Sequence, residues 1–467
     1  MRKFYWYLTA YIHKHGLVVV ASVLGAIVLF SFLIPILVTN LEKNTRYYVG
    51  IVGEYTLETL PPVIKNQISV GLTSVEADGT VAPLLSDRWT IEHEGLTYRF
   101  VLKDDIFWQD GKRLEPSDIK YDLKDVETII TPNDIVYKLP GPFAPFPTIV
   151  SEPLLRPTTL VKYFFLKRPS YLGIGEYHIT DYTLRGNRLT QLVIDGKTER
   201  YVYRFYLTEA DAITAYKHGQ VDILPDLAGV YDIMNWKNTL VEQKMQSDQY
   251  LAVFFNLRSP LFDKNVRQAL NYALTKPGEA ERAIGPINPQ SWAYLEGGKG
   301  YEKDWNRGSE RLLSEIPPQP LQLELVTTAL FEKDAEAIKQ EWESFGQKVY
   351  DDCLAKKDIS DKTTCERVKI AVTVKITNFP DTSNFQVLLI GQQAPPDPDQ
   401  YALWHSQQST NFTGYKNTRI DNLLEKGRQT FDQKERKELY QEFQQFFLED
   451  SPAVFLRHLR SYSIERS

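Results

Sequence analysis

Sulfur is scarce in this chain of 467 residues: there are two cysteines, Cys353 and Cys365, and three methionines. No histidine or further cysteine lies near the pair to complete four ligands, which sets aside a structural zinc site. A basic tract is also missing. The 54 Lys and Arg stand against 60 Asp and Glu for a net charge of −6, a balance that argues against nucleic acid as a partner. His-Glu-x-x-His and Gly-x-Ser-x-Gly do not occur, and nothing resembles an ATP-binding loop. Past the first segment the histidines are His93, His178, His218, His405 and His458, each isolated in sequence. An extracellular hydrolase, which needs a nucleophile with its base or a metal pair, is therefore the weaker reading. Neither internal repeats nor a composition typical of disorder is found.

Charge is absent from Leu17 to Thr39, where Val, Leu, Ile, Phe and Ala dominate. As a helix this run spans about 34 Å at roughly 1.5 Å per residue, enough for a bilayer core of about 30 Å. Arg2, Lys3 and Lys14 precede it and keep that end in the cytoplasm, and Tyr5, Trp6, Tyr7 and Tyr11 suit an interfacial belt. The rival is a cleaved signal peptide, whose apolar core is usually only about 7–15 residues long. No small-x-small pattern follows residue 39, and no cysteine near residue 40 could carry a lipid. The expectation is a cytoplasmic N-terminus over 1–16, an uncleaved transmembrane anchor over 17–39, and everything later outside the membrane. In that setting a disulfide is permitted. Cys353 and Cys365 flank a polar stretch with no core-forming pattern; a bridge is expected between them, the alternative being two unrelated thiols. Such a bridge would stabilise by about 3 kcal/mol if the chain-entropy account holds.

Roughly 420 residues remain, material for two or more domains. Leu189–Ile194 and Arg200–Leu207 read as a hairpin around Asp195-Gly196-Lys197. Thr208 with Asp211 caps a helix that stops at Gly219. Phe331, Ala335, Ile338, Trp342 and Phe345 form an apolar helical stripe expected to end at Gly346, between strands at 321–326 and 370–376. Strand, helix and strand alternating in this way indicate an α/β fold.

The stretch that says most about function is 397–427. Asp397-Pro398-Asp399 must be a turn, because a proline flanked by acids continues neither helix nor central strand. Tyr401, Trp404, His405 and Ser406 follow, then Asn411-Phe412-Thr413-Gly414-Tyr415-Lys416-Asn417, then a helix opened by Ile420, Leu423 and Leu424. This order resembles the extracellular solute-binding proteins of family 5, the peptide/nickel class, with their D-P-D-x-[YF], W-H-S, N-x-x-x-Y-x-N and D-x-L-L motifs. Other segments carry the same resemblance in the same order. They are Val81–Trp89, Gly95–Lys103, Phe107–Leu114, Leu172–Tyr177, Phe255-Asn256, and Asp263–Leu270 with its D-x-x-V-R-x-A-L pattern.

The resemblance implies a two-lobed periplasmic-binding-protein fold with an extra subdomain. Lobe one would be 45–255 plus 452–467, with the subdomain at 84–168, and lobe two 256–451. It implies a monomeric receptor that needs no cofactor or metal, encloses a short peptide or similar solute between the lobes, and delivers it to ABC permease subunits and their ATPases. A sensor or adhesion protein that kept the fold without a transporter is the alternative. Carried over onto this sequence, the ligand-binding residues would be Gln393, Ala394, Asp397, Tyr401 and Trp404 of the loop, Trp292 and Tyr294, and Tyr55. Trp404 is the first candidate for a pocket wall. One departure bears on the ligand. Peptide-binding members usually place an Asp three residues before the first Asp of D-P-D, to pair with the peptide's α-amino group. That position is Ala394 here. A buried ammonium without an anion is costly, so N-acetylated and free-amine peptides are expected to bind nearly equally.

Overall fold

The structure, a computed structural model, describes residues 6, 14–18, 21–27, 29–31, 45–162, 166–356 and 361–467. The chain divides into two compact units, Met1–Ile68 with Pro157–Ile223, and Ser69–Arg156 with Leu224–Ser467.

In the first unit the strand Thr45–Val52 runs parallel to Glu199–Tyr206, from Thr45 opposite Glu199 to Val52 opposite Tyr206. Glu199–Tyr206 pairs antiparallel with Arg188–Asp195, and that strand with His178–Arg185. The expected hairpin is present. Its closure is held by Arg200, which forks onto the Asp195 carboxylate at 2.6 and 2.7 Å. The helix Glu209–Lys217 starts where the Thr208 hydroxyl accepts the N–H of Asp211. The described residues of Lys14–Ser31 are helical and unburied, and that stretch, of mean hydropathy 1.9, is by length and composition enough to cross a membrane. Residues 19–20, 28 and 32–39 of the expected anchor, and 1–5 and 7–13 before it, lie outside the described residues.

The second unit holds an antiparallel sheet in the order Ser86–Glu92, Thr97–Leu102, Asp134–Lys138, Glu127–Ile130. Tyr98, Phe100, Tyr137 and Phe146 fill its covered face. A second series of strands runs in the order Ala453–Arg466, Thr239–Phe255, Val387–Gln393, Leu321–Thr327, Ile370–Ile376. Thr239–Phe255 pairs antiparallel on both sides, and Leu321–Thr327 parallel on both.

The last six residues of Thr239–Phe255 are all buried, as a strand covered by helices on both faces must be. Side chains alternate across a strand. Leu251, Val253 and Phe255 accordingly enter one core with Trp342, Phe345 and the helix Lys264–Ala273. Tyr250, Ala252 and Phe254 enter another with Trp404, Phe443 and Phe447.

One helix departs from the sequence reading. The stripe expected to stop at Gly346 continues through Glu332–Ala355. A β-carbon at Gly346 would stand 2.6 Å from the Ile370 backbone nitrogen. The glycine is there to let helix and strand touch, and it does not end the helix. The longer helix carries Cys353 to its last turn, where it is bonded to Cys365 with the Cα atoms 5.7 Å apart. Both cysteines are fully buried. The chain between them includes 357–360, which lie outside the described residues.

Candidate functional site

Asp397-Pro398-Asp399 is a turn, and both of its carboxylates are already engaged. Asp397 accepts two hydrogen bonds from the buried Arg436 guanidinium at 2.8 and 3.0 Å, and a third from the N–H of Asp399 at 3.0 Å. Arg436 also donates Nε to the Gly427 carbonyl at 2.8 Å, which ties the turn to the helices Thr418–Gln429 and Gln433–Asp450. Asp399 accepts from the N–H of Tyr401 at 3.0 Å and from Arg428 Nε at 2.8 Å. Burial raises the Asp399 carboxyl above its ordinary range, and Arg428 opposes that shift.

The aromatic residues after the turn separate into two environments. Tyr401 is half-buried, with Arg428 3.9 Å over one face and the His405 ring stacked at 4.1 Å. It borders a largely apolar cavity of about 490 Å³ whose lining includes Phe143, Phe146 and Ile149. Trp404 is fully buried. Its ring packs 4.6 Å from Phe447, 6.0 Å from Tyr415 and 6.2 Å from Phe254. Trp404 therefore packs in the apolar core, where the adjoining strand and the last long helix close over the ring that the loop pattern suggested for a ligand.

Before the turn, Gln393 ends its strand opposite Gln249, and the buried Ala394 donates its N–H to the Asp248 carbonyl at 2.7 Å. Ala394 and Pro396 line a polar cavity of about 350 Å³ together with Val75–Gly79, Lys244–Asp248, Asn288, Gln290 and Ser291. Trp292 stands beside it, its N–H donated to the Asp78 carbonyl at 2.9 Å. Gly79, at φ +82°, is forced by this arrangement, because a β-carbon there would stand 2.4 Å from the Pro396 carbonyl oxygen. Tyr294 is half-buried; its backbone carbonyl accepts from the Gln441 amide at 3.2 Å, and burial raises its phenol pKa. Tyr55, in the first unit, packs on Phe205 at 5.6 Å. The structure thus brings Ala394 to one cavity, with Trp292 bonded to Asp78 of its wall, and Tyr401 to another, and gives Asp397 to Arg436 and Trp404 to the core.

Sequence reasoning missed Lys244, Gln246 and Asp248. They sit on the polar first half of Thr239–Phe255, where no apolar alternation marks a strand. Pairing with Ala453–Arg466 slips between Gln246 and Tyr250, so three residues there have no partner on that side. A bulge of this kind re-aims side chains beside functional sites. Lys244 and Gln246 also line a neighbouring cavity of about 660 Å³. In that cavity Arg460 is paired with Glu281, Arg457 with Asp334 at 2.9 Å, and Gln246 donates to Ser461 at 2.7 Å.

The sequence pattern that defines the bacterial extracellular solute-binding proteins, family 5 (middle), matches residues 80–413. The oligopeptide-binding protein AppA of Bacillus subtilis is 26% identical over 275 residues, a stretch covering 54% of this chain but only 46% of that protein. The glutathione-binding protein GsiB of Escherichia coli (strain K12) is 22% identical over 447 residues, with 85% and 84% covered. Among solved structures, NikZ from Campylobacter jejuni in complex with Ni(L-His) superposes with a TM-score of 0.67 at 21% identity, covering 91% of this chain and 94% of that one. AppA from Bacillus subtilis in complex with a nonapeptide gives 0.62 at 17% identity, covering 90% and 94%. These likenesses show the fold, the two-lobed α/β architecture of periplasmic binding proteins.

Proposed function

Because the chain belongs to the bacterial extracellular solute-binding proteins of family 5, we propose that it is the membrane-anchored receptor of a peptide-type ABC importer. As a member of that family it binds a solute outside the cytoplasm and is not an enzyme. The finer reading is that it captures a short peptide or similar extended solute in the cleft between lobe one (45–255 with 452–467) and lobe two (256–451). Leu17–Thr39 would hold it in the membrane, with the N-terminus cytoplasmic and the receptor monomeric.

The observation that carries this reading is the polar cavity beside Ala394 and Pro396. It brings together amide and hydroxyl side chains of two separate segments, Gln246-Ser247 and Asn288–Ser291, with charged groups on the strand at Lys244 and Asp248 and on the turn at Glu76 and Asp78. Its volume of about 350 Å³ lies within the ordinary range for small-molecule pockets. Backbone groups tolerate any side chain, so such a site suits peptides of varied sequence. Closure would follow from ligand that touches both lobes only in the closed state, and the closed form would dock on the permease. Tyr401 and Trp292, each half-buried beside a cavity, are the aromatic residues that could still reach solute.

The test is mass spectrometry of solute that co-purifies with the full-length protein, followed by calorimetry with that solute. Peptides, bound with micromolar or better affinity, are expected. A nickel chelate or a sugar as the co-purifying solute would overturn the peptide reading. For the anchor, the N-terminus of membrane-fraction protein should read from or near Met1. A mature N-terminus near residue 40 on released protein would contradict it.

A further inference from the structure

Within the polar cavity the charged groups are not equivalent. Asp78 is occupied by its own turn: its carboxylate accepts the N–H of Thr80 at 2.9 Å and the Thr80 hydroxyl at 2.7 Å, which hold its pKa below the usual range. Glu76 is exposed and lies 3.4 Å from the Ser74 hydroxyl. Asp248 differs from both. Its backbone carbonyl holds Ala394 in place, yet its half-buried carboxylate has no hydrogen bond or ion pair among the described residues. Lys244, four residues earlier on the same strand, likewise has no ion pair among them.

Both residues line the same cavity. The strand between them spans at most roughly 13 Å at about 3.3 Å per residue, and the bulge after Gln246 shortens it. That is the separation between the two ends of an extended peptide of two to four residues. A buried titratable group that feels Asp248 is His458, whose Nδ1 lies 3.3 Å from the Gln249 carbonyl. Burial lowers its pKa, with Asp248 opposing, so a neutral imidazole leaves the Asp248 charge uncancelled. Asp397 and Asp399 cannot serve in its place, since Arg436 and Arg428 already hold them.

We infer that Asp248 and Lys244 are the specificity-determining pair of the solute site, and that the solute is a short zwitterionic peptide held by its ammonium at Asp248 and its carboxylate at Lys244. The inference rests on the proposed function and reverses the expectation drawn from Ala394 alone. The anion missing from position 394 is supplied by the strand beside it. A free amine should then matter by about ten- to a hundredfold in affinity, the worth of one charge-assisted hydrogen bond. The exposed Lys244 should matter less, about three- to tenfold, because solvent screens it.

The experiment is calorimetry on the full-length protein in detergent with Ala-Phe-Ala in free, N-acetylated and C-amidated forms. Wild type should prefer the free amine by about ten- to a hundredfold. Asp248→Asn should abolish that preference while leaving affinity for the N-acetylated peptide within about twofold, and Asp248→Glu should keep it. Lys244→Met should abolish the smaller preference for the free carboxylate. Equal binding of free and N-acetylated peptide by wild type would overturn the inference while sparing the proposed function. So would a preference that survives in Asp248→Asn. No binding of any peptide form by wild type would overturn both.

Discussion

Asp397, just after Ala394 in the chain, and Asp248, whose carbonyl accepts the Ala394 N–H, have opposite surroundings. Asp397 is about 94% buried and doubly bonded to Arg436, so its charge is spent on joining a turn to two helices. Asp248 stands on a bulged strand at a cavity wall, with its carboxylate unengaged among the described residues. The difference teaches how to read the acids of this site. A carboxylate that already has its cation builds the scaffold, and one left without a cation beside a cavity is available to a solute. The family's usual signature draws attention to the D-P-D acids, and these are the ones the protein has already used.

The largest expected effect sharpens the scaffold side. Asp397→Ala should destabilise the protein by about 3–5 kcal/mol, because Arg436 would remain buried without its anion. Replacing Asp397 and Arg436 together by apolar residues of similar volume should recover much of that loss in denaturant unfolding. A loss below about 1 kcal/mol for Asp397→Ala would mean the pair is no more than a surface bridge. Next comes the disulfide. Cys353→Ala with Cys365→Ala should lower stability by about 3 kcal/mol, comparing oxidised wild type with the double variant. An unchanged midpoint would show that the buried half-cystines add only packing.

Lys276 is a third kind of charge, half-buried, with carbonyls for partners and no carboxylate paired with it among the described residues. Its ammonium donates to the carbonyls of Asn271 and Tyr301. Burial, with help from Arg282, lowers its pKa to about 7. The folded state therefore binds fewer protons than the unfolded one between about pH 7 and 10.5. By linkage, the Lys276 contribution to stability rises with pH across that window. Lys276→Met should be more stable than wild type at pH 7 by about 1–3 kcal/mol, and the difference should shrink by pH 9.5 in paired thermal melts. A constant difference across that range would remove the titration argument. The smallest effect belongs to Asp248. Asp248→Asn should shift stability by less than about 0.5 kcal/mol, as for a group that holds nothing in the fold. A large loss would move Asp248 to the scaffold side of the comparison.

Much of the architecture was legible in local sequence because its causes are local. Thr208, Asp263, Asn417 and Asp432 each accept the backbone N–H bonds of a helix start. The apolar residues Ile420, Leu423 and Leu424 are buried on one helix face, and the Cys353–Cys365 bridge spans 12 positions. What was not legible depends on elements far apart in the chain. Nothing beside Gly346 announces that Ile370 will pack on it, and nothing in the loop shows that Phe254 and Phe447 will enclose Trp404. The polar run Gln243–Gln249 lacks any pattern that would mark it as a strand, and its meaning comes from the loop it faces. Arg436 shows no sequence link to Asp397, 39 positions away, so the engaged and unengaged acids looked alike.

The most direct test of the account is a crystal structure of the protein with Ala-Phe-Ala bound. The account predicts the peptide's terminal nitrogen within about 3.2 Å of the Asp248 carboxylate, with its carboxylate toward Lys244 and Asp397 still on Arg436. A terminal ammonium seated on Asp397, or a peptide lodged in the apolar cavity beside Tyr401 with the Asp248 side chain in solvent, would contradict it.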